Sequence, residues 1–303
     1  MTATRDLALE TLQLEQDGRV LTARFSNPPL NFMTTGFIRE LDQLTRSVDR
    51  DPTVGAVVLT GGVEGRFLTH LDAQELAGIG EFPHPKLSMR AAQVVVLMLN
   101  FVLALPGVAS LLERFGGAPG KGIVMGHRWK RLTLRMNRSA AVYLAAINGP
   151  VLDGGLEIVL ACDLRYAAAG AKLGVPFVKL GMHAGMGGTH LLPEVVGEAH
   201  ARDLLLTGRV VDADEALRIG LVSAVFERET FLDDVLGVAG GIAANAPIAT
   251  RLTKLALLDG GHTDLETALQ WEALAQPVTL ATEDLQEGIR ASREKRAPEF
   301  HGR

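Results

Sequence analysis

The sequence predicts an α/β domain with a helical C-terminal end. Short apolar stretches with strand character alternate with helical segments up to about residue 200, helical spacing fills the remainder, and 33 glycines punctuate the chain. The 303 residues suffice for one large core, or a core with an appended subdomain. With 47% hydrophobic and 21% charged residues, large-scale disorder is excluded. The net charge of -5 leaves no chain-wide footprint for nucleic acid or anionic lipid, so any phosphate contact must be local. A single cysteine, Cys162, excludes an intrachain disulfide and a cysteine-rich metal site, and it fits a reducing compartment; cytosol is the expected location.

The N-terminal stretch MTATRDLALETLQLEQDG lacks an apolar signal core and reads as part of the fold. Residues Leu9 to Leu14 and Arg19 to Phe25 alternate around Gln16-Asp17-Gly18, a hairpin signal in which Asp-Gly supplies the positive φ angles. After the Asn27-Pro28-Pro29 break, Thr34 or Thr35 caps a helix from Gly36 to about Arg50, with Ile38, Leu41, Leu44 and Val48 on one face. Val54 to Thr60 and Ala141 to Ile147 read as buried strands. A helix starts near Gly155, a strand covers Asp163 to Ala168, and a glycine-rich loop spans Gly185 to Thr189. Helical spacing then recurs over Ala199 to Leu206, Ala213 to Ile219, Thr230 to Ala244, Thr263 to Ala275 and Glu283 to Arg296.

Ala91 to Leu112 stands apart, because Gln93, Asn100 and Ser110 are its only polar side chains. The run approaches transmembrane length, roughly 20 residues. Pro106 and Asn100 interrupt it and no topogenic flanks frame it, so the expectation is a buried or subunit-facing helix ending near Pro106; a membrane-surface or acyl-chain-binding role is the alternative.

Val151 to Asp163 carries the chemical signal. A strand runs through Asp153-Gly154-Gly155 into LEIVLACDL, a strand-to-helix turn with bare backbone at the helix start. Unpaired N–H groups of a first helical turn favour an anion or a developing oxyanion. Glu157, in that turn, is either a general acid or base or a complement to the helix dipole. His70, His183 and His190 are candidate proton carriers, or simply packed or solvated histidines. They lack H-x-x-x-H spacing, and no metal site is expected. Asp72 and Asp163 read as structural hydrogen-bond acceptors, and Cys162 as a small buried residue.

The run AAINGPVLDGGLEIVLACD, from Ala145 to Asp163, resembles the enoyl-CoA hydratase/isomerase (crotonase) superfamily. The resemblance extends from Ser26-Asn27-Pro28-Pro29 through Val54 to Gly62, Gly181 to Thr189, Leu206 to Gly208 and Gly220 to Val222 to the terminal TEDLQEGIRASREKRAPEFHGR. It implies a crotonase-like ββα spiral core over residues 1–200 and a helical C-terminal oligomerisation region over 201–303, assembling as a homotrimer or a dimer of trimers. A long apolar insertion at about 78–139 departs from the family pattern and stands where the acyl pocket is rebuilt or covered. The resemblance places oxyanion-hole donors on the backbone N–H groups of Gly154 and Thr69, the latter in Phe67-Leu68-Thr69-His70-Leu71-Asp72. Glu157 takes the place of the first catalytic carboxylate. His70, Leu71 and Phe177 fall at substrate-binding positions, and Lys295 matches a lysine that meets the nucleotide end of coenzyme A, although Ser292 replaces an aromatic nearby and a solvated helix face explains the Arg293 to Arg296 charges equally well. The second catalytic glutamate of family hydratases follows a proline; here Gly174-Val175-Pro176 is followed by Phe177, which cannot move a proton. The implied function is acyl-CoA thioester chemistry through an oxyanion-stabilised enolate, nominally on a trans-2-enoyl-CoA, with no cofactor beyond the coenzyme A of the substrate. The alternatives are a non-catalytic acyl-CoA-binding paralogue and an acyl-CoA thioester hydrolase.

Overall fold

A computed structural model describes residues 3–80 and 86–303; the first residues of the N-terminal stretch and part of the 78–139 insertion lie outside them. The chain opens with β1 (Leu12–Asp17) and β2 (Val20–Phe25), antiparallel, with Asp17 opposite Val20. The linking pair is therefore Gly18-Arg19, one residue later than expected, and Gly18 alone carries the positive φ (54°). Helix α1 (Thr35–Val48) starts where its cap predicts: the Thr34 hydroxyl accepts from the Phe37 N–H at 3.1 Å. Ile38, Leu41, Leu44 and Val48 are buried.

Next come β3 (Ala56–Gly61), α2 (Ala73–Gly80), α3 (Met89–Ala104), α4 (Val108–Phe115), α5 (Gly117–Arg138), β4 (Val142–Ile147), β5 (Val151–Leu152) and α6 (Gly154–Leu160). Then follow β6 (Leu164–Ala168), β7 (Lys172–Gly174), a 3-10 turn (Pro176–Leu180), α7 (Gly188–Thr207), β8 (Val210–Asp212), α8 (Ala213–Arg218) and β9 (Ala224–Phe226). Four helices close the chain: α9 (Phe231–Ala243), α10 (Pro247–Gly260), α11 (Leu265–Leu280) and α12 (Glu283–Glu294). Six strands form one sheet in the order β1-β2-β3-β4-β6-β9, parallel after the first hairpin, and β5-β7-β8 form a second, smaller sheet. The expected α/β class with helical C-terminal elements is what the chain adopts.

Two differences from the sequence reading are physical. The apolar run does make a helix ending before Pro106, but only Leu103 of α3 is buried; Val94, Leu97, Met98 and Phe101 face solvent in the single chain. Apolar composition measures the wish for a partner and does not supply one. No single helix among the described residues is long and apolar enough to cross a membrane; α3 and α4 meet at 109°. Helix α10 lies between the segments in which the sequence shows helical spacing; Pro247 at its first turn begins it.

Helix α5 is tied to the core. Trp129, Leu132 and Met136 are buried along one face, and Arg135 reaches across to Asp42 (2.9 Å) and the Thr45 hydroxyl (2.7 Å) on α1. Lys254 of α10 fastens its end: the ammonium donates to the Met136 and Ala141 carbonyls (2.7 and 3.0 Å) and to the Asp163 carboxylate (2.7 Å). That carboxylate also accepts from the Tyr143 N–H at 2.8 Å, so Asp163 is the structural acceptor it was expected to be. Burial raises its pKa while Lys254 opposes the rise. Removing one partner of a buried pair leaves the other uncompensated, so Lys254→Met should cost about 3–5 kcal/mol in urea unfolding monitored by circular dichroism.

Candidate active site

The glycine pair fixes the site. Asp153 turns the chain out of β5 with φ 50° and ψ −122°, a conformation in which glycine is at ease and other residues are strained. Its own N–H donates to the Gly174 carbonyl of β7 at 2.9 Å. Gly154 is the first residue of α6, where an N–H has no intrahelical acceptor. A Cβ there would stand 2.6 Å from Met33 Cε and 2.8 Å from the Trp129 ring. At Gly155 a Cβ would overlap the Leu68 carbonyl oxygen, so loop 67–72 rests directly on the start of α6.

Loop 67–72 is ordered by Met33. The Met33 N–H donates to the His70 carbonyl at 3.1 Å and its carbonyl accepts from the Asp72 N–H at 2.8 Å, a parallel bridge opposite Leu71. In such a bridge the N–H and C=O of the central residue point the other way. The Leu71 carbonyl accepts from His70 Nδ1 at 2.9 Å, and the Leu71 N–H has no hydrogen-bond acceptor among the described residues. Thr69, by contrast, directs its N–H at the Asn31 carbonyl (3.5 Å) and does not line the cleft. The amide that the sequence reading took from Thr69 is therefore turned elsewhere, and Leu71 presents the free one.

A cleft of about 680 Å³ opens in front of these groups. Its wall is largely apolar, with Leu71, Leu76, Met125, Trp129, Phe177 and Leu180 among the lining residues; His70, Asp153, Gly154 and Glu157 also face it. Met125 and Trp129 come from α5, which thus supplies part of the wall. Lys295 is exposed in a left-handed cap at the end of α12 and lines no part of the cleft. A larger cleft, about 1090 Å³, lies between α1 and the segment from Leu103 to Arg131, but it shares no residue with the glycine turn.

Glu157 is fully buried on α6. Oε1 accepts from the Met186 N–H at 3.0 Å and the Gly188 N–H at 3.3 Å, while Oε2 has no partner among the described residues. Gly188 is required, since its Cβ would come within 2.8 Å of Oε1. Burial raises the Glu157 pKa; the backbone donors oppose this, and neighbouring Asp153 adds to the rise. Asp153, 2% exposed, is pushed up to about 6 by burial, against the nearby His70 and the Phe177 N–H. Its Oδ1 is buried without a partner. Sequence reasoning named Asp153 only as part of a turn, and its positive φ and unpaired oxygen are visible only in the structure.

The remaining candidates separate. The His70 ring stacks on Phe32 with centroids 4.6 Å apart. His183 lines the rim, its Nδ1 against the Ala184 carbonyl at 2.8 Å. His190 faces a neighbouring cleft, where it and His262 both meet Glu194 Oε1, at 3.0 and 3.2 Å. These three could hold a cation, a grouping invisible in the local spacing of the sequence, but the contacts of both imidazoles with Glu194 Oε1 already account for it. Asp72 caps α2 through the Gln74 and Glu75 N–H groups, and burial pushes the Cys162 thiol up to about 12.

Comparison with known proteins points one way. The enoyl-CoA hydratase/isomerase family pattern matches residues 109–303. A crotonyl-CoA hydratase of Syntrophomonas wolfei is 32% identical over 295 residues, 97% of this chain and 99% of that protein. An (E)-benzylidenesuccinyl-CoA hydratase of Thauera aromatica is 45% identical over 159 residues, 52% of this chain and 62% of that protein. The crystal structure of an enoyl-CoA hydratase from Bacillus anthracis superposes with a TM-score of 0.78 at 28% identity, covering 97% of this chain and all (100%) of that one.

Because loop 67–72 and α6 meet backbone to backbone, Gly155→Ala should force them apart. The expected result is a loss of about 1–3 kcal/mol in thermal or urea unfolding, and weaker hydrogen-exchange protection of the Asp72 amide, which donates to the Met33 carbonyl; an unchanged melting curve would contradict the contact.

Proposed function

The chain belongs to the enoyl-CoA hydratase/isomerase family, and on that premise we propose that it moves a proton at the α-carbon of a 2-enoyl-CoA thioester, with an enolate as the intermediate. The observation that carries this reading is Glu157, a buried carboxyl group with one oxygen fixed by two backbone donors and the other free, facing an apolar cleft beside the N–H of Gly154.

The thioester oxygen sits between the N–H groups of Gly154 and Leu71. Leu71 takes the place first given to Thr69 because its amide has no protein acceptor and its residue lines the cleft. Neither donor has to reorganise when charge develops on that oxygen, and in a site walled by apolar side chains each is worth on the order of 3 kcal/mol. Burial favours the protonated form of Glu157, which suits an acid that delivers its proton to the α-carbon of the enolate and, in the reverse direction, a base that removes it. Moving a double bond along the chain needs no more than this one carrier.

Family relatives named for crotonyl-CoA and benzylidenesuccinyl-CoA support a thioester of a 2-enoic acid as substrate, and the apolar wall from Leu71 to Leu180 supports an apolar acyl group. In this reading the protein acts in the cytoplasm as a homotrimer or a dimer of trimers, which is supported by the exposed Leu265, Leu269, Leu274 and Leu280 on α11. Lys295 meets the nucleotide end of coenzyme A within that assembly.

Incubation with saturated and 2-enoyl-CoA thioesters in deuterated water tests the reading. Deuterium should enter the α-position in the wild type, and Glu157→Gln should slow its entry by about 100- to 10,000-fold while CoA affinity persists. Tight binding of the thioesters by the wild type with no exchange would show a binding protein instead, and release of free thiol would show a hydrolase.

A further inference from the structure

We propose that Asp153 is the second carboxylate of this site, the base that takes a proton from water as the water oxygen adds to the β-carbon of the enoyl thioester. The proposal rests on the reading of Glu157 above and extends it from proton transfer to hydration.

Three observations outside that reading support it. Asp153 is among the residues that line the same cleft as Glu157, is 2% exposed, and leaves Oδ1 buried without a partner among the described residues. A buried, unpaired carboxylate oxygen is a cost unless something polar comes to meet it, and a substrate water does so. Secondly, Asp153 gives no structural return for its position. It stands at the N-cap of α6 yet makes no side-chain cap, and it holds φ 50°, which glycine would adopt without strain. Thirdly, the Phe177 backbone N–H faces the Asp153 carboxylate. The carboxylate thus stands beside the position where the resembling hydratases carry their second glutamate and this chain carries Phe177. A carboxylate lost from residue 177 is replaced from residue 153, across the same cleft.

The two groups divide the work. Glu157 is the more deeply buried, and an ionised Asp153 further favours its protonated form. Asp153 is pushed up only to about 6 and is ionised at neutral pH. The proposal assigns the proton of the pair to Glu157 and the negative charge to Asp153. One O–H bond of water breaks and its proton passes to Asp153, while the water oxygen bonds to the β-carbon. The π pair moves to form the enolate, whose oxygen lies between the Gly154 and Leu71 N–H groups. The α-carbon then takes the Glu157 proton. The net change is addition of H and OH, and a proton passed from Asp153 to Glu157 through solvent restores the pair.

The test compares hydration of crotonyl-CoA by the wild type, Asp153→Asn, Asp153→Gly and Asp153→Gly with Phe177→Glu, with melting temperatures recorded for each. Hydration should fall by about 100- to 10,000-fold in both single variants, chiefly in kcat. Asp153→Gly should melt no lower than the wild type, since glycine relieves the positive φ, so its lost activity is not lost folding. The added Phe177→Glu should return part of the hydration. Wild-type kcat/KM should rise with pH through about 6, because the base must be ionised. His70 faces the same carboxylate, and Glu157, His183 and Lys179 line the same cleft, so this limb should vanish in Asp153→Asn and persist in His70→Gln. Wild-type hydration that survives Asp153→Asn overturns the proposal, as does a wild type that exchanges α-deuterium without hydrating. Absence of wild-type exchange overturns instead the reading of Glu157 on which it rests.

Discussion

The site depends on a contact between two stretches of backbone. The Leu68 carbonyl lies where a Cβ of residue 155 would be, so only glycine lets loop 67–72 settle on the first turn of α6. That closeness brings two amides from segments far apart in sequence, Leu71 and Gly154, to the same cleft. Neither amide depends on a side chain for its direction. Met33 sets one by bridging His70 and Asp72, and the helix geometry of α6 sets the other. The arrangement is rigid because it is built from main chain, and rigidity is what lets donors stabilise a developing charge without first reorienting.

Desolvation then gives the carboxyl groups their character. Glu157 and Asp153 are four positions apart at one helix start, both nearly excluded from water, and each is poised by burial before any neighbour acts. The backbone donors at Met186 and Gly188 keep Glu157 in place without neutralising both oxygens. In a cleft walled by the apolar side chains of Leu71, Trp129 and Phe177, a small charge difference between two such groups is worth more than it would be in water.

Much of this was legible in the sequence, and the failures have physical causes. The 3.6-residue spacing of Ile38, Leu41 and Leu44 gave away α1, and strand runs such as Val54 to Thr60 located the sheet, because periodicity reports which face is buried. The Gly154-Gly155 pair and Glu157 were legible for the same reason, being local in sequence. The choice between Thr69 and Leu71 was not, since successive amides of an extended loop point in opposite directions and only Met33, more than thirty residues upstream, decides which of them is free. Asp153 was passed over because Asp-Gly is an ordinary turn pair, and its buried, unpaired oxygen exists only in three dimensions. The Lys254 to Asp163 pair joins residues 91 positions apart. No local pattern announces it.

The segment from α3 to α5 is best understood through what α5 does and what α3 leaves undone. Helix α5 spends its buried face, from Trp129 to Met136, on closing the core and roofing the glycine turn, and Arg135 and Lys254 hold both sides of that face in register. Helix α3 has no comparable anchor: it buries only Leu103 and keeps Leu97, Met98 and Phe101 outside. A helix apolar on nearly every side is not explained by solvent contact, and its sequence is too short and too bent with α4 to span a bilayer as one helix. The same stretch of chain therefore contains one helix whose apolar residues are fully used in shaping the cleft and one whose apolar residues are held in reserve. Changes in α5 should act on the site through Met125 and Trp129, whereas changes on the outer face of α3 should leave the geometry around Glu157 untouched.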